Sequence, residues 1–257
     1  MELFSNLYNY RELLKSNVKK EIRGKYKGSF LGVLWSFINP LLQVLVYAIV
    51  FPYIMRVKTD NYLQYLISGV IPWTFFTTVI TQGIITVRMN AGIIKKVYFP
   101  REILPISVAL SGLVNFFISC IIIFVFCLFG GIAPSWYLLL LPLVAIMQFI
   151  FSLGLILALS AINIYVKDVE YIVIFVMNML FYATPVLYSS TLFPAKIRWI
   201  LYLNPMAGII DMYRNIFIYH QMASWASIGY IVGITFAIFV IGLFIFRKLE
   251  KGFAEEV

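Results

Sequence analysis

The chain carries, at residues 103–133, the run ILPISVALSGLVNFFISCIIIFVFCLFGGIA, in which no side chain is charged. This run exceeds the about 20 apolar residues that cross the hydrocarbon core of a bilayer as an α-helix. The whole chain has a similar character, since its 257 residues are 62% hydrophobic and only 12% charged. Soluble domains carry about 25% charged residues. The sequence therefore predicts an all-α integral membrane protein.

Five further runs without charged side chains are also long enough to span a bilayer. They comprise residues 30–55, 62–87, 136–166, 171–195 and 224–246. Six spans and their short connections use most of the chain, so we predict a single transmembrane domain over residues 1–257. Within it, residues 29–247 form the six-helix membrane region and residues 248–257 a short tail.

The positions of the lysines and arginines predict the orientation in the membrane. If both termini are cytoplasmic, fifteen of the 20 basic side chains lie on the cytoplasmic side and five on the other. The positive-inside rule favours this arrangement. The net charge of +9 is thus explained by membrane topology, because the basic residues sit at span ends. We predict membrane lipids, and not nucleic acid, as partners of these charges.

Residues 1–28 precede the first span and contain the pattern of an amphipathic helix over residues 3–23. Apolar side chains recur there at three- or four-residue intervals, at Leu3, Leu7, Leu14, Val18 and Ile22. Basic side chains lie between them. A basic amphipathic helix of this kind lies in the membrane interface. The alternative is a solvated, charged tail.

Motifs of catalysis and cofactor binding are missing from the sequence. There is no GxxxxGK[ST] loop for ATP, no HExxH or paired-cysteine metal pattern, and a single histidine, His220. The six runs also contain no Asp, Glu, Lys, Arg or His, whereas proton- and ion-driven transporters usually place such groups inside the membrane. We predict no catalytic residue, no metal and no cofactor on this chain. Energy for any active transport would come from another polypeptide.

Polar and aromatic side chains form stripes on single helix faces of two spans. In the first span the stripe consists of Ser36, Asn39, Gln43 and Tyr47, and in the fifth of Tyr171, Phe175, Asn178 and Tyr182. Such stripes either line a polar path or supply hydrogen bonds between helices. Aromatic faces with amides suit sugars, which offer both C–H faces and hydroxyls. A third stripe, Ser107, Ser111, Asn115 and Ser119, favours hydrogen bonds between helices.

Two connections between spans have unusual sequences. Residues 88–105 mix charges with apolar side chains, which suits either a docking surface with a charged rim or an interfacial anchor for the helix ends. Between the fifth and sixth spans, Asn204-Pro205 is a turn signal that starts a new element. We predict two short helices there, lying on the outer membrane face or re-entering it.

Several of these stretches resemble a known family. They are RGKYKGSFLGVLW at residues 23–35 followed by Asn39-Pro40, KKVYFPREILP at residues 95–105, NIYVKDV at residues 163–169, and Asn204-Pro205 with Arg214. In this order they resemble the membrane subunits of type-2 ABC exporters for polysaccharides. The resemblance covers essentially the whole chain. The family includes permeases for lipid-linked O-antigen, capsular polysaccharide and teichoic acid.

The resemblance implies a permease of the bacterial inner membrane that works as a homodimer with two copies of a separate ATPase subunit, which binds ATP and Mg²⁺. The substrate would be a polyprenyl-diphosphate-linked polysaccharide moving along the dimer interface. Three groups of residues would take part: Lys95, Lys96, Val97, Tyr98, Phe99, Pro100, Arg101 and Glu102 in coupling to the ATPase; Arg23, Lys25 and Lys27 in admitting the lipid diphosphate; Asn204, Pro205 and Arg214 in an outer gate.

Three alternatives remain on the sequence alone. A type-2 ABC permease for drugs or small lipids would share the topology. A polyprenyl-lipid enzyme would need acidic or histidine side chains that converge at one membrane face, and the candidates are distributed over both faces. A passive channel would need no ATPase partner.

Overall fold

The computed structural model describes residues 2–24, 28–55, 61–194 and 196–256, which contain only helices and connecting turns. The α-helices, in chain order, are α1 Glu2–Asn9, α2 Arg11–Gly24, α3 Trp35–Met55, α4 Tyr62–Met89, α5 Ala91–Ile94, α6 Ile103–Phe129, α7 Leu141–Tyr165, α8 Val169–Ala183, α9 Arg198–Leu201, α10 Pro205–Arg214, α11 Trp225–Leu249 and α12 Phe253–Glu256. The prediction of an all-helical chain is confirmed.

Four helical segments of the described residues are long and apolar enough to cross a membrane. They are Tyr62–Met89, Ile103–Phe129, Trp136–Tyr165 and Trp225–Gly252. Two shorter apolar stretches, Ile38–Phe51 within α3 and Val169–Ala183 in α8, lie below this length. A membrane protein with several apolar helices is therefore confirmed.

The predicted fifth span, residues 171–195, is wrong as a continuous helix because α8 ends at Ala183. Thr184 has extended backbone angles, φ −95° and ψ 139°. The pyrrolidine ring of Pro185 disfavours the helical conformation at the residue before it. The apolar run thus continues beyond Ala183 as irregular chain, which is buried up to Leu187.

Helix α4 lies at the centre of the bundle, where it contacts α3, α6, α7, α8 and α10. Two buried amides of α7 bind its main chain: Gln148 Nε2 donates to Pro72 O at 2.8 Å and Asn163 Nδ2 donates to Ile84 O at 3.1 Å. The hydroxyl of Tyr213 donates in turn to Gln148 Oε1 at 2.8 Å. Such amide hydrogen bonds hold helices together where apolar surface has no preference for protein over lipid.

Helices α7 and α11 pack backbone against backbone. A Cβ atom on Gly242 would overlap the carbonyl oxygen of Gly154, and one on Gly154 would lie 2.6 Å from Phe239 Cα. Small residues allow such close approach of membrane helices. Gly229 and Gly233 of α11 are four residues apart, but neither has an atom of another element within 4 Å of an added Cβ.

Ser107 and Ser111 of α6 bond within their own helix, and not to a neighbouring helix as the sequence predicted. Ser107 Oγ donates to Leu104 O at 2.7 Å and Ser111 Oγ donates to Val108 O at 2.9 Å, both within α6. A serine in a helix reaches the carbonyl of the preceding turn without help from another element. Its hydroxyl is then satisfied locally.

The N-terminal residues form two helices, α1 and α2, where the sequence predicted one over residues 3–23. Helix α2 packs along α6. Asn6 Nδ2 donates to Glu102 Oε1 at 3.1 Å, and Lys20 Nζ donates to Asn90 Oδ1 at 3.2 Å. These contacts define one end of the bundle, which we call the basal end. The opposite end, at the start of α4, is called the apical end.

Candidate functional site

At the apical end, an irregular stretch follows α8, and we call residues 184–188 the apical segment. Four consecutive carbonyl oxygens of this segment accept hydrogen bonds from side chains. Arg214 donates to Pro185 O at 2.7 Å and to Val186 O at 2.8 Å, Tyr62 donates to Leu187 O at 3.0 Å, and Tyr65 donates to Tyr188 O at 2.8 Å. Non-helical backbone at membrane depth is tolerated only where protein satisfies its polar groups. These side chains meet that requirement for the four carbonyl oxygens.

Arg214, at the end of α10, is the centre of this arrangement and is only 1% exposed. Its guanidinium carbon lies 3.6 Å from the centre of the Tyr65 ring, a cation–π contact. Nη1 is also 3.3 Å from the carboxylate of Asp211. Gly69 makes room for it, because a Cβ there would lie 2.8 Å from Arg214 Nη2 and 2.9 Å from Val186 O.

Asn204 and Pro205 begin α10 and connect it to the apical segment. Asn204 Oδ1 accepts from the main-chain N–H of Met206 at 3.0 Å, which caps the helix, and Pro205 occupies its first position. Asn204 Nδ2 donates to Thr184 Oγ1 at 2.8 Å. The structure therefore brings the three residues predicted for an outer gate, Asn204, Pro205 and Arg214, to one locus around residues 184–188.

Sequence reasoning missed the other members of this locus. Tyr62 and Tyr65, at the start of α4, are one helical turn apart and so reach adjacent carbonyls of the apical segment. In sequence they are indistinguishable from the aromatic belt that marks a span end. Gly69 follows one turn later, and the clustering of two tyrosines and a glycine at turn spacing was the available signal.

The polar stripe predicted in the fifth span lies on an exposed face of α8. Tyr171 is 70% exposed, Phe175 62% and Tyr182 62%, and Asn178 is exposed between them. These aromatic and amide groups point away from the rest of the chain. The face is therefore available to a molecule outside this chain.

The stripe predicted in the first span is divided. Asn39 is exposed. Gln43 Nε2 donates to the hydroxyl of Tyr47 at 3.1 Å, and the Tyr47 ring packs on Phe181 of α8 with their centres 5.7 Å apart. The side chain of Ser36 lies outside the described part of the structure. Tyr47 thus connects α3 to α8, while Asn39 faces outward.

At the basal end, we call residues 95–102 the basal loop. Its first half, Lys95 to Tyr98, is exposed, and Tyr98 is 91% exposed. In its second half Phe99 and Glu102 are each 6% exposed, and Glu102 accepts the hydrogen bond from Asn6. Of the eight residues predicted to couple to an ATPase, the first four form a surface, and Phe99 and Glu102 form an anchor within the chain. Pro100 and Arg101 are half-buried.

Charged side chains outside the basal loop are dispersed. Arg23 is exposed at the end of α2, whereas Lys25 and Lys27, grouped with it for the lipid diphosphate, lie outside the described residues. Arg88 forms an ion pair with Glu170, joining the end of α4 to the start of α8. Within the part of the chain that the structure describes, no cluster of His, Cys, Asp and Glu side chains could hold a metal ion.

The family of this chain follows from the similarity of its sequence to known proteins. Residues 12–218 match the family described as ABC-2 type transporter. The chain belongs to the ABC-2 type transporter family. Together with the four apolar helices, this makes it a multi-pass membrane protein.

Three relatives are similar to this chain over 90% or more of its length. It is 37% identical to the O-antigen export system permease protein RfbA of Klebsiella pneumoniae over 97% of this chain and 96% of that protein. It is 34% identical to RfbA of Myxococcus xanthus over 100% of both chains. It is 21% identical to the polysialic acid transport protein KpsM of Escherichia coli over 90% of this chain and 91% of that protein.

Proposed function

We propose that this chain is the membrane-spanning permease subunit of an ATP-driven exporter of a lipid-linked, O-antigen-like polysaccharide. The observation that carries the proposal is its similarity to O-antigen export permeases at 34–37% identity over essentially full length. The polysialic acid transport protein, which is more distant, is also named for a glycan polymer. Polysaccharide export thus explains the similarity better than export of drugs or small lipids.

A separate ATPase subunit supplies the energy in this proposal. The 257 residues contain no phosphate-binding loop, so ATP and Mg²⁺ are assigned to the partner and no cofactor to this chain. The exposed half of the basal loop has apolar side chains, Val97 and Tyr98, beside the cations Lys95 and Lys96. An apolar centre with a charged rim is typical of protein interfaces. We assign this surface to the ATPase, with Phe99 to Glu102 as its anchor.

We further propose six spans, with α3 and α8 added to the four long helices. The 21 residues of α3 reach about 31 Å, enough for the hydrocarbon core. The 15 residues of α8 reach only about 22 Å, and the buried apical segment completes the crossing. The basal end, with most of the basic residues, then faces the cytoplasm together with both termini of a single domain over residues 1–257.

The polymer path is assigned to the interface of a homodimer. The exposed stripe of α8 (Tyr171, Phe175, Asn178 and Tyr182) offers aromatic faces and an amide, which match the C–H faces and hydroxyls of sugars. Two copies of the chain facing each other through α8 and the adjoining face of α3 would enclose such a path. Asn39, exposed on α3, would lie on it, and Gln43 and Tyr47 would support its wall, with Ser36 one turn before Asn39.

The two ends of this path are assigned as follows. Arg23, Lys25 and Lys27 would attract the diphosphate of the polyprenyl carrier at the cytoplasmic surface, where clustered cations also attract anionic lipids. At the opposite end, Asn204, Pro205 and Arg214 position α10 and the apical segment as an outer gate. In this assignment Arg214 fixes the gate and does not touch the polymer, because its side chain is buried.

The proposal is tested by depleting the chain from its native cells and analysing the lipid-linked glycans of the cytoplasmic membrane. We expect a polyprenyl-linked polysaccharide to accumulate on the cytoplasmic side, and purification of the tagged chain in mild detergent to recover a P-loop ATPase in near-equal amount. Unchanged glycan pools would exclude polysaccharide export. Recovery of the chain without an ATPase, even after cross-linking, would exclude the ABC mechanism.

A further inference from the structure

The chain beyond α11 folds back onto the basal end. We call residues 249–253 the tail segment. At its start the hydroxyl of Tyr165, the last residue of α7, donates to Leu249 O at 2.8 Å. At its end Phe253 is fully buried, and its ring packs edge-on against Phe246 of α11 with the ring centres 5.5 Å apart. The tail segment is therefore fixed to both α7 and α11.

The basal loop contacts the tail segment through Arg101. The guanidinium group of Arg101 donates to the main-chain oxygen of Glu250, and its central carbon lies 5.8 Å from the centre of the Phe253 ring. These are two different kinds of contact, a hydrogen bond and a cation–π contact, from a single guanidinium group. A cavity of about 610 Å³ lies beside them, between α1, the basal loop and the tail segment.

The anchor half of the basal loop is also held by burial of Phe99 in the core, by its continuation into α6 and by the bond from Asn6 to Glu102. Arg101 adds a route from the basal loop to the pair α7 and α11, which pack backbone to backbone. The tail segment lies close against the end of α7, because a Cβ on Gly252 would overlap the Tyr165 hydroxyl. The basal loop is thereby joined to helices that follow it in sequence by more than 30 residues.

From these contacts we propose that the tail segment holds the basal loop in the position from which it transmits movement of the ATPase to α7 and α11. Arg101 and Phe253 are positioning residues in this account. The inference rests on the proposed function, since it assumes an ATPase at the exposed half of the basal loop. A docking loop can transmit movement efficiently only if its contacts with the rest of the chain hold it in position.

The test uses the full chain with its co-purified ATPase in proteoliposomes and polyprenyl-linked glycan extracted from the native cells. The measured quantity is glycan transported per ATP hydrolysed, because partial unfolding lowers both rates together and leaves this ratio unchanged. We expect Phe253→Ala and Arg101→Ala to lower the ratio at least about fivefold, the lower range of coupling between sites. Arg101→Lys, which keeps a cationic donor but not the guanidinium group, restores part of the ratio. The exposed Glu255→Ala is the matched control.

Phe253→Ala is the decisive variant because the buried ring cannot touch the ATPase directly. Should Phe253→Ala fail to fold, Tyr165→Phe, which removes one hydroxyl at the other side of the tail segment, replaces it with a smaller decrease expected. A wild-type ratio in these variants, with or without lower total rates, would overturn the inference. Failure of the proposed function would be seen separately, as wild-type complexes that transport no glycan or contain no ATPase.

Discussion

The apical segment and the basal loop are both short irregular connections, but the first is mostly buried and the second is half exposed. In the apical segment, four consecutive carbonyls accept hydrogen bonds from Arg214, Tyr62 and Tyr65. In the basal loop, Tyr98 is 91% exposed while the adjacent Phe99 is 6% exposed. The carbonyls of the first connection are bound within the chain, whereas half of the second connection is exposed.

The difference shows at which depth in the membrane irregular backbone must be held by side chains and at which depth it can remain exposed. At membrane depth no water can satisfy a carbonyl, so irregular backbone has to be held by side chains. At the interface water is present, and in the proposed function the exposed apolar side chains there form the surface that binds the ATPase. The predictions below alter one connection or the other.

The largest effect is expected for Arg214→Ala at the apical segment. The substitution removes hydrogen bonds to Pro185 O and Val186 O and leaves Asp211 without its cation. We expect the free energy of unfolding to fall by about 2–6 kcal/mol, because each of the two buried carbonyls left without a donor costs about 1–3 kcal/mol. Unfolding can be followed in detergent with a thiol-reactive fluorophore, because Cys120 and Cys127 are buried and become reactive only when the chain unfolds. The exposed Lys196→Ala should leave the melting curve unchanged.

A smaller effect is expected when the space beside Arg214 is filled. In Gly69→Ala the new methyl group would lie 2.8 Å from Arg214 Nη2 and 2.9 Å from Val186 O. We expect a loss of about 1–3 kcal/mol, typical of overpacking. Gly233→Ala is the same change in an open position of α11, where alanine should be neutral or stabilise the helix by up to about 1 kcal/mol. Equal melting temperatures for the two variants would contradict the tight fit at Gly69.

At the basal loop the two neighbouring aromatic residues should separate binding from stability. Tyr98→Ala is expected to leave stability within about 0.5 kcal/mol, as for exposed positions, and to weaken binding of the ATPase about tenfold, since aromatic anchors dominate interfaces. Phe99→Ala should instead lower stability, because its ring is buried. ATPase affinity is measured as binding of the purified ATPase to the chain in nanodiscs. Stability is measured by thermal unfolding with the thiol-reactive fluorophore. Identical behaviour of both variants would contradict the division of the basal loop.

The smallest effects are expected for Tyr62→Phe and Tyr65→Phe, each of which removes one hydroxyl from the apical segment. Each should cost about 1 kcal/mol, the net value of a typical hydrogen bond, because the Tyr65 ring remains to stack on Arg214. If neither single change alters the melting temperature, the carbonyls of Leu187 and Tyr188 have other donors and the account of the apical segment is wrong.

The helical membrane class could be predicted because hydropathy depends only on local sequence. The Asn204-Pro205 boundary could be predicted for the same reason: a proline after asparagine favours the start of a helix. The end of α8 at Ala183 was missed although Thr184-Pro185 carried the signal. Hydropathy shows that a run is buried, and it does not distinguish a helix from buried irregular chain.

The burial of Arg214 could not be read from the sequence, where it counted as one of the few basic residues outside the cytoplasm. Its acceptors are main-chain oxygens 28 and 29 residues earlier, and any residue has a main-chain oxygen. The contrast between Tyr98 and Phe99 was equally hidden, because an irregular loop has no periodicity to tell exposed from buried positions. The coupling and path residues stay predictions, and the structure shows only which of them are exposed.

The most direct test of the central claim uses inverted membrane vesicles that contain the chain and its ATPase. Polyprenyl-linked glycan extracted from the native cells is supplied on the outside, which corresponds to the cytoplasm. The account predicts that glycan becomes protected in the lumen only with hydrolysable ATP, and that removing this chain abolishes protection. Protection that is equal with and without ATP, or that persists without the chain, would contradict it.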